Sequence, residues 1–85
     1  MDPGNFTAEK CKSRTAVTFT PKKQSKQDLT VLSKELEKKG ALVNALTPLV
    51  LVVKFQGTLV TFYRNGKVVI KKPAKREAEE LFRKL

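Results

Sequence analysis

The stretch LVLVVKFQGTLVTFYRNGKVVIKK, residues 49–72, decides the fold. It contains three runs rich in β-branched and aromatic residues, at 49–55, 58–64 and 67–72, which are typical of strands. Gln56-Gly57 and Asn65-Gly66 separate the runs and predict tight turns. Asn-Gly in particular favours a type I′ turn, which needs positive φ at both central positions. The stretch therefore predicts three antiparallel strands joined by hairpins.

Two more strands and two helices are predicted outside this stretch. Residues 15–20 and 41–46 are short and rich in apolar or β-branched residues, so both predict strands. Ser25 and Asp28 resemble a capping box that opens a helix over residues 26–39, and Gly40 is suited to end it. A second apolar stripe at helical spacing follows Pro73 and runs to Leu85.

These elements predict an α+β fold with the order β-α-β-β-β-β-α. One antiparallel five-stranded sheet with both helices packed on one face is the natural arrangement. Residues 15–85 are predicted to form this domain, and residues 1–14, which show no apolar periodicity, are predicted to be a flexible tail.

Strand alternation predicts which side chains face the helices. The helix-facing set is Val17, Phe19, Leu49, Leu51, Val53, Phe55, Val60, Phe62, Val68 and Ile70. The opposite set is Ala16, Thr18, Thr20, Val50, Val52, Lys54, Leu59, Thr61, Tyr63, Lys67, Val69 and Lys71. Two helices cannot cover both faces of five strands, so we expect the second face to be open. It contains lysines and neutral groups but no acid.

The charge distribution indicates an anionic partner. The chain has 18 Lys and Arg against 8 Asp and Glu, and no acid occurs between Lys38 and Arg76. With no His and only Cys11, the sequence has no serine-protease-like triad and no Cys/His metal cluster. It therefore predicts a protein that is not an enzyme and that uses no metal and no cofactor. The longest apolar run is strand-sized, and no signal segment is visible, which predicts a cytoplasmic or nucleoid-associated protein without a membrane partner.

The open face has two functional interpretations. Its lysines could contact nucleic-acid phosphates while its aliphatic, hydroxyl and aromatic groups meet sugars and bases. Alternatively, its apolar residues, or an edge strand of the sheet, could dock the protein within a larger complex without nucleic acid. A solvated lysine-rich surface is the third and plainest interpretation.

The run GTLVTFYRNGKVVIKKPAKREAEELFRKL, residues 57–85, resembles the hairpin and last helix in one half of the TATA-binding protein family. The order of the elements over residues 15–85 is also similar to that half. The same module resembles the N-terminal substrate-binding domain of type three bacterial ribonuclease H. The resemblance implies a curved, saddle-shaped sheet whose concave face holds nucleic acid. In the family, phenylalanines wedge between base steps. The second of these positions would fall near Pro48 or Leu49, where this sequence has no aromatic residue, so the implied binding has weak sequence preference.

The open face and the resemblance together give the candidate site residues. The predicted nucleic-acid-binding residues are Lys54, Thr61, Tyr63, Arg64, Lys67, Val69, Lys71 and Lys72. Because the family uses two such halves in one chain, the resemblance also implies a homodimer through the first strand. The predicted dimer interface residues are Thr15, Val17, Thr18 and Thr20.

Overall fold

The computed structural model describes residues 3–10, 16–23, 26, 28–72 and 74–85. It is an α+β fold with one open antiparallel sheet and two helices, as predicted. The strands are β1 (Phe6–Lys10), β2 (Val17–Pro21), β3 (Leu42–Leu46), β4 (Val50–Phe55), β5 (Thr58–Tyr63) and β6 (Val68–Ile70). The helices are α1 (Leu29–Lys38) and α2 (Lys75–Lys84), and a short 3-10 helix, Pro3–Asn5, precedes β1. No helix within the described ranges is both long and apolar enough to cross a membrane.

The prediction of five strands was wrong, because the sheet has six, in the order β1-β2-β6-β5-β4-β3. The additional strand is β1, which lies in the segment predicted to be a tail. It pairs antiparallel with β2, from Phe6 opposite Pro21 to Lys10 opposite Val17. The ring of Phe6 contacts Phe82 of α2 edge-to-face, with centroids 4.9 Å apart. This contact attaches β1 to the core, and aromatic pairs of this geometry stabilise beyond their buried area.

Both helices pack on the same face of the sheet, where one apolar core contains their buried residues. Helix α1 lies over β3 and β4, and α2 lies over the β1 side. The ring of Phe82 stacks on that of Phe19 at a centroid distance of 4.3 Å. The strand residues buried in this core are Val17, Phe19, Leu51, Val53, Phe55, Val60, Phe62, Val68 and Ile70. The predicted helix-facing set is thus confirmed except for Leu49, which is 63% exposed because it precedes β4 in a turn.

Helix α1 begins later than predicted. Asp28 is its N-cap, and the carboxylate accepts hydrogen bonds from the backbone N–H groups of Thr30 (3.0 Å) and Val31 (3.3 Å). Such a cap contributes about 1 kcal/mol to helix stability. The predicted capping residue Ser25 lies outside the described residues. Helix α2 has Ala74 as its N-cap, without a side-chain cap hydrogen bond.

The two hairpins have different turn geometries, and only the first has the two-residue turn that the sequence predicts. At Gln56-Gly57 both residues have positive φ, 50° and 79°, as a type I′ turn requires. At the other hairpin only Gly66 has positive φ, 96°. Its N–H donates to the Tyr63 carbonyl, and the Tyr63 N–H donates to the Lys67 carbonyl. The second hairpin is therefore a longer loop with glycine in the left-handed position, and the type I′ prediction for Asn65-Gly66 was wrong.

Candidate nucleic-acid interface

The face of the sheet opposite the helices is left uncovered by the described elements. Its side chains are half-buried or exposed, and they alternate along each strand with the core residues. One predicted member differs, since Ala16 is only 7% exposed. We call this surface the open face. Strand pairing arranges its side chains in three rows that run across the sheet.

The first row alternates leucine and lysine. Leu42 of β3 pairs with Lys54 of β4, which pairs with Leu59 of β5. Lys71 continues the row, because its backbone N–H donates to the Leu59 carbonyl at 3.0 Å. Leu42 is 66% exposed and Leu59 is 37% exposed, and both lysines are exposed. The row thus presents two ammonium groups separated by apolar side chains.

The second row crosses the middle of the open face. Its members are Ala45, Val52, Thr61, Val69, Thr18 and Glu9, in the order of the strands from β3 to β1. These side chains are short or branched and apart from Glu9 uncharged, so the centre of the face is low and nearly neutral. Thr61 and Val69 are two of the predicted site residues, and they are direct cross-strand partners.

The second row also contains an acid, which corrects the prediction of an acid-free face. Phe6 and Ala8 of β1 pack against the core, so alternation places Thr7 and Glu9 on the open face. Glu9 is exposed and pairs with Thr18. Because β1 is an edge strand, this carboxylate stands at one border of the face, opposite the border formed by β3.

The third row contains the one tyrosine. Tyr63 is half-buried, pairs with Val50, and has Lys67 on its other side across the second hairpin. Tyr63, Val50 and Leu49 line a shallow apolar notch at this end of the sheet, and Lys26 and Arg64 stand at its rim. The two cations also line an adjoining groove beside the start of α1. An aromatic ring, aliphatic side chains and two cations are therefore grouped at one end of the open face.

The structure brings together most of the predicted nucleic-acid-binding residues. Lys54, Thr61, Tyr63, Lys67, Val69 and Lys71 all lie on the open face. Arg64 lies at its end, in the hairpin. Lys72 is half-buried beyond β6, where its N–H donates to the Ile70 carbonyl at 2.8 Å, so it is separated from the three rows.

The lysines of the open face form no ion pair with any described residue. In the described part of the chain, the ion pair is Arg76 with Glu80, at 3.7 Å on the exposed side of α2. Lys54, Lys67 and Lys71 are exposed, so their charge is directed to solvent. Cations without neighbouring carboxylates remain available to an anionic ligand.

The predicted dimer interface does not coincide with a free sheet edge. Strand β2 is interior, since β1 pairs along one side and β6 along the other. A second copy could therefore pair with Val17 to Thr20 only by displacing β1. Thr15 lies outside the described residues. The free edges of the sheet are β1 and β3.

Some residues of this surface were not predicted from the sequence to belong to it. Lys26 reads as part of an ordinary solvated charge run, and no local pattern places it near Tyr63. The exposure of Leu49 follows from the turn before β4, where the Thr47 hydroxyl accepts from the Leu49 and Val50 N–H groups. Thr47-Pro48 is a signal that could have indicated this turn.

No group of three or more potential metal-ligating side chains occurs within the residues that the structure describes. Comparison of the chain with known protein families, with curated proteins and with solved structures gives no match. The resemblance to the TATA-binding protein family therefore rests on the order of elements and on residues 57–85 alone.

Proposed function

We propose that this protein binds nucleic acid through its open face, mainly by charge and with weak sequence preference. The observation that carries the proposal is the first row, in which Lys54 and Lys71 alternate with Leu42 and Leu59 on an uncovered surface. The net charge of +10 adds a long-range attraction for a polyanion.

The spacing of the lysines suits separate phosphate contacts. Lys54 and Lys71 lie two strands apart, which is about 10 Å at the usual strand spacing. Lys67 and Lys71 are four residues apart along one strand direction, or about 13 Å. Phosphates on one strand of a duplex rise by about 3.4 Å each along the axis. The three ammonium groups would therefore contact different phosphates of the same nucleic acid.

The neutral side chains between the lysines would contact sugars and bases. Thr61 and Val69 are short enough to permit close approach of a ligand to the sheet. Tyr63, beside the notch at the end of the face, is the natural group for stacking on a base. Few of these groups can form paired hydrogen bonds with base edges. The protein would therefore bind nucleic acids of different sequence with similar affinity.

The TATA-binding-protein-like saddle is part of this proposal. From β2 to α2 the element order is β-α-β-β-β-β-α, which supports the resemblance to one half of that family, and β1 precedes this order. The proposal assigns no catalytic activity to the protein and expects it in the cytoplasm or on the nucleoid.

A protein-interaction module is the second candidate function. The observation that favours it is the exposure of Leu42 and Leu59 on the same face, because exposed apolar groups mark association sites. The two functions differ in their response to salt. Binding to nucleic acid weakens steeply as salt rises, whereas docking through apolar side chains persists.

Fluorescence anisotropy with duplex DNA, single-stranded DNA, RNA and an RNA/DNA hybrid tests the proposal. We expect binding at about 50 mM salt that falls by orders of magnitude by about 200 mM. The absence of binding to all four at the lower salt concentration would reject the proposal and leave the protein-interaction function.

Neutralising the open-face lysines tests the location of the site. The triple variant Lys54→Gln, Lys67→Gln and Lys71→Gln should reduce affinity by roughly 10- to 100-fold and lower the salt slope by about 2 to 3. The matched control changes three exposed lysines of the helices, Lys34→Gln, Lys38→Gln and Lys84→Gln. Both variants lose the same charge, so equal losses of affinity would show that the open face is not the site.

A further inference from the structure

The edge strand β3 and the turn that follows it expose three large apolar side chains. No strand of the described residues lies on the outer side of β3. Leu42 is 66% exposed and Leu46 is 44% exposed, and Leu49 in the following turn is 63% exposed. An edge strand presents unpaired backbone N–H and C=O groups, and proteins commonly protect such edges with charged residues.

Strand β3 lacks that protection. Residues 40–53 contain no Asp, Glu, Lys or Arg, in a chain of which 31% is charged. The opposite edge differs, because β1 carries the exposed carboxylate of Glu9. The pairing of β3 with β4 contains one irregularity, between Val43 and Ala45, which twists the strand locally but leaves apolar residues on both sides of it.

We propose that β3 is a homodimer interface, at which two copies of the chain pair edge to edge across a two-fold axis. This inference goes beyond the proposed function and does not depend on it. An antiparallel pair of identical strands is self-complementary, as an isologous interface requires. The exposed apolar side chains of β3 are best buried against apolar side chains, and β3 of a second copy provides them.

The charge distribution favours a second copy at this edge over contacts that bring the open-face lysines of two copies together. Two molecules of net charge +10 repel each other wherever their lysines meet. With the β3 strands side by side, the nearest open-face lysines would be Lys54 of each copy, one strand in from the edge. They would lie at least three strand spacings apart, about 14 Å, which exceeds the screening length of about 8 to 10 Å in physiological salt.

The dimer would join the two open faces into one surface. A two-fold axis perpendicular to the sheet keeps the open faces of both copies on the same side. The combined sheet would have twelve strands, from six in each copy. Because the contact involves one short strand from each copy, we expect a weak dimer that depends on concentration.

Sedimentation velocity between about 5 µM and 500 µM tests the proposal, after nuclease treatment so that bound nucleic acid cannot bridge two copies. We expect a shift from monomer to dimer with a dissociation constant on the order of 100 µM. The dimer should persist or strengthen as salt rises, because salt screens the repulsion between copies. A monomer at the highest concentration, or a dimer that dissociates in salt, would overturn the proposal.

Edge variants locate the contact. The double variant Leu42→Lys and Leu46→Lys should raise the dissociation constant at least about tenfold, since edge lysines block strand pairing. The control Val31→Lys and Leu59→Lys adds the same charge at two exposed apolar positions outside β3, one on α1 and one on β5. An uncharged variant, Leu42→Gln and Leu46→Gln, should also weaken the dimer. If the control weakens it as much as the edge variants, the dimer does not form through β3.

Discussion

The two faces of the sheet are built from the same strands but have opposite properties. On the covered face, the alternate residues are Val, Leu, Ile and Phe, and the helices bury them almost completely. On the open face, their immediate neighbours are threonines, valines, lysines and Tyr63, which remain half-buried or exposed. Adjacent positions such as Phe62 and Thr61 therefore belong to different environments.

This comparison separates the requirements of folding from those of binding. The covered face needs apolar volume, because burial of such side chains is the main favourable term in folding. The open face contributes less buried area, so its composition is freer to serve a ligand. The helices carry most of the acids and cover one face only, which leaves a surface with three lysines and Glu9.

The largest expected effect is a loss of folding stability, and it should differ between the adjacent positions Phe62 and Thr61. Phe62→Ala should lower the free energy of unfolding by about 3 to 5 kcal/mol, because a fully buried ring leaves a cavity. Thr61→Ala should change it by less than about 1 kcal/mol. Urea denaturation followed by circular dichroism measures both, and Phe62→Leu provides a milder variant if the alanine variant does not fold. Equal losses at the two positions would mean that the open face is covered in solution.

The sequence predicts most of this architecture because alternation and periodicity are strong in its central part. The predicted strands in 15–20 and 49–72 alternate so regularly that nine of the ten residues predicted to face the helices are buried. The helices follow from leucine spacing, although the start of α1 moves to Asp28. The Asp28 carboxylate caps the helix, three residues after Ser25. Both residue types are common N-caps, so the sequence alone does not determine which of the two is used.

Strand β1 could not be predicted from the sequence, because tertiary contacts rather than local strand propensity stabilise it. The segment FTAEK has a weak strand composition, with Ala, Glu and Lys depleted in strands. It is held by pairing with β2 and by the contact of Phe6 with Phe82, which lies 76 residues later in the chain. The same omission explains why the open face was expected to contain no acid and why the first strand was expected to form the dimer interface.

The second expected effect concerns Tyr63, which marks one end of the open face. If Tyr63 stacks on a base, Tyr63→Ala should weaken nucleic-acid binding by about 1 to 2 kcal/mol, whereas Tyr63→Phe should retain most of the affinity. The slope of affinity against salt should be unchanged, since no phosphate contact is lost. Anisotropy across a salt series measures both quantities. A smaller slope for Tyr63→Ala, or an equal loss for Tyr63→Phe, would assign the tyrosine another role.

The smallest expected effect concerns Glu9, the one acid that the described residues place on the open face. A carboxylate at the border of a phosphate-binding surface repels the ligand, so Glu9→Gln should strengthen binding by up to about 1 kcal/mol at low salt. Glu35→Gln is the matched control, because Glu35 is an exposed acid of α1, on the helix side of the sheet. Both variants have the same net charge, and only the face differs. A larger gain for Glu9→Gln, lost at high salt, would show that the ligand lies against the open face and extends as far as β1. Equal gains for the two variants would mean that net charge alone attracts the nucleic acid.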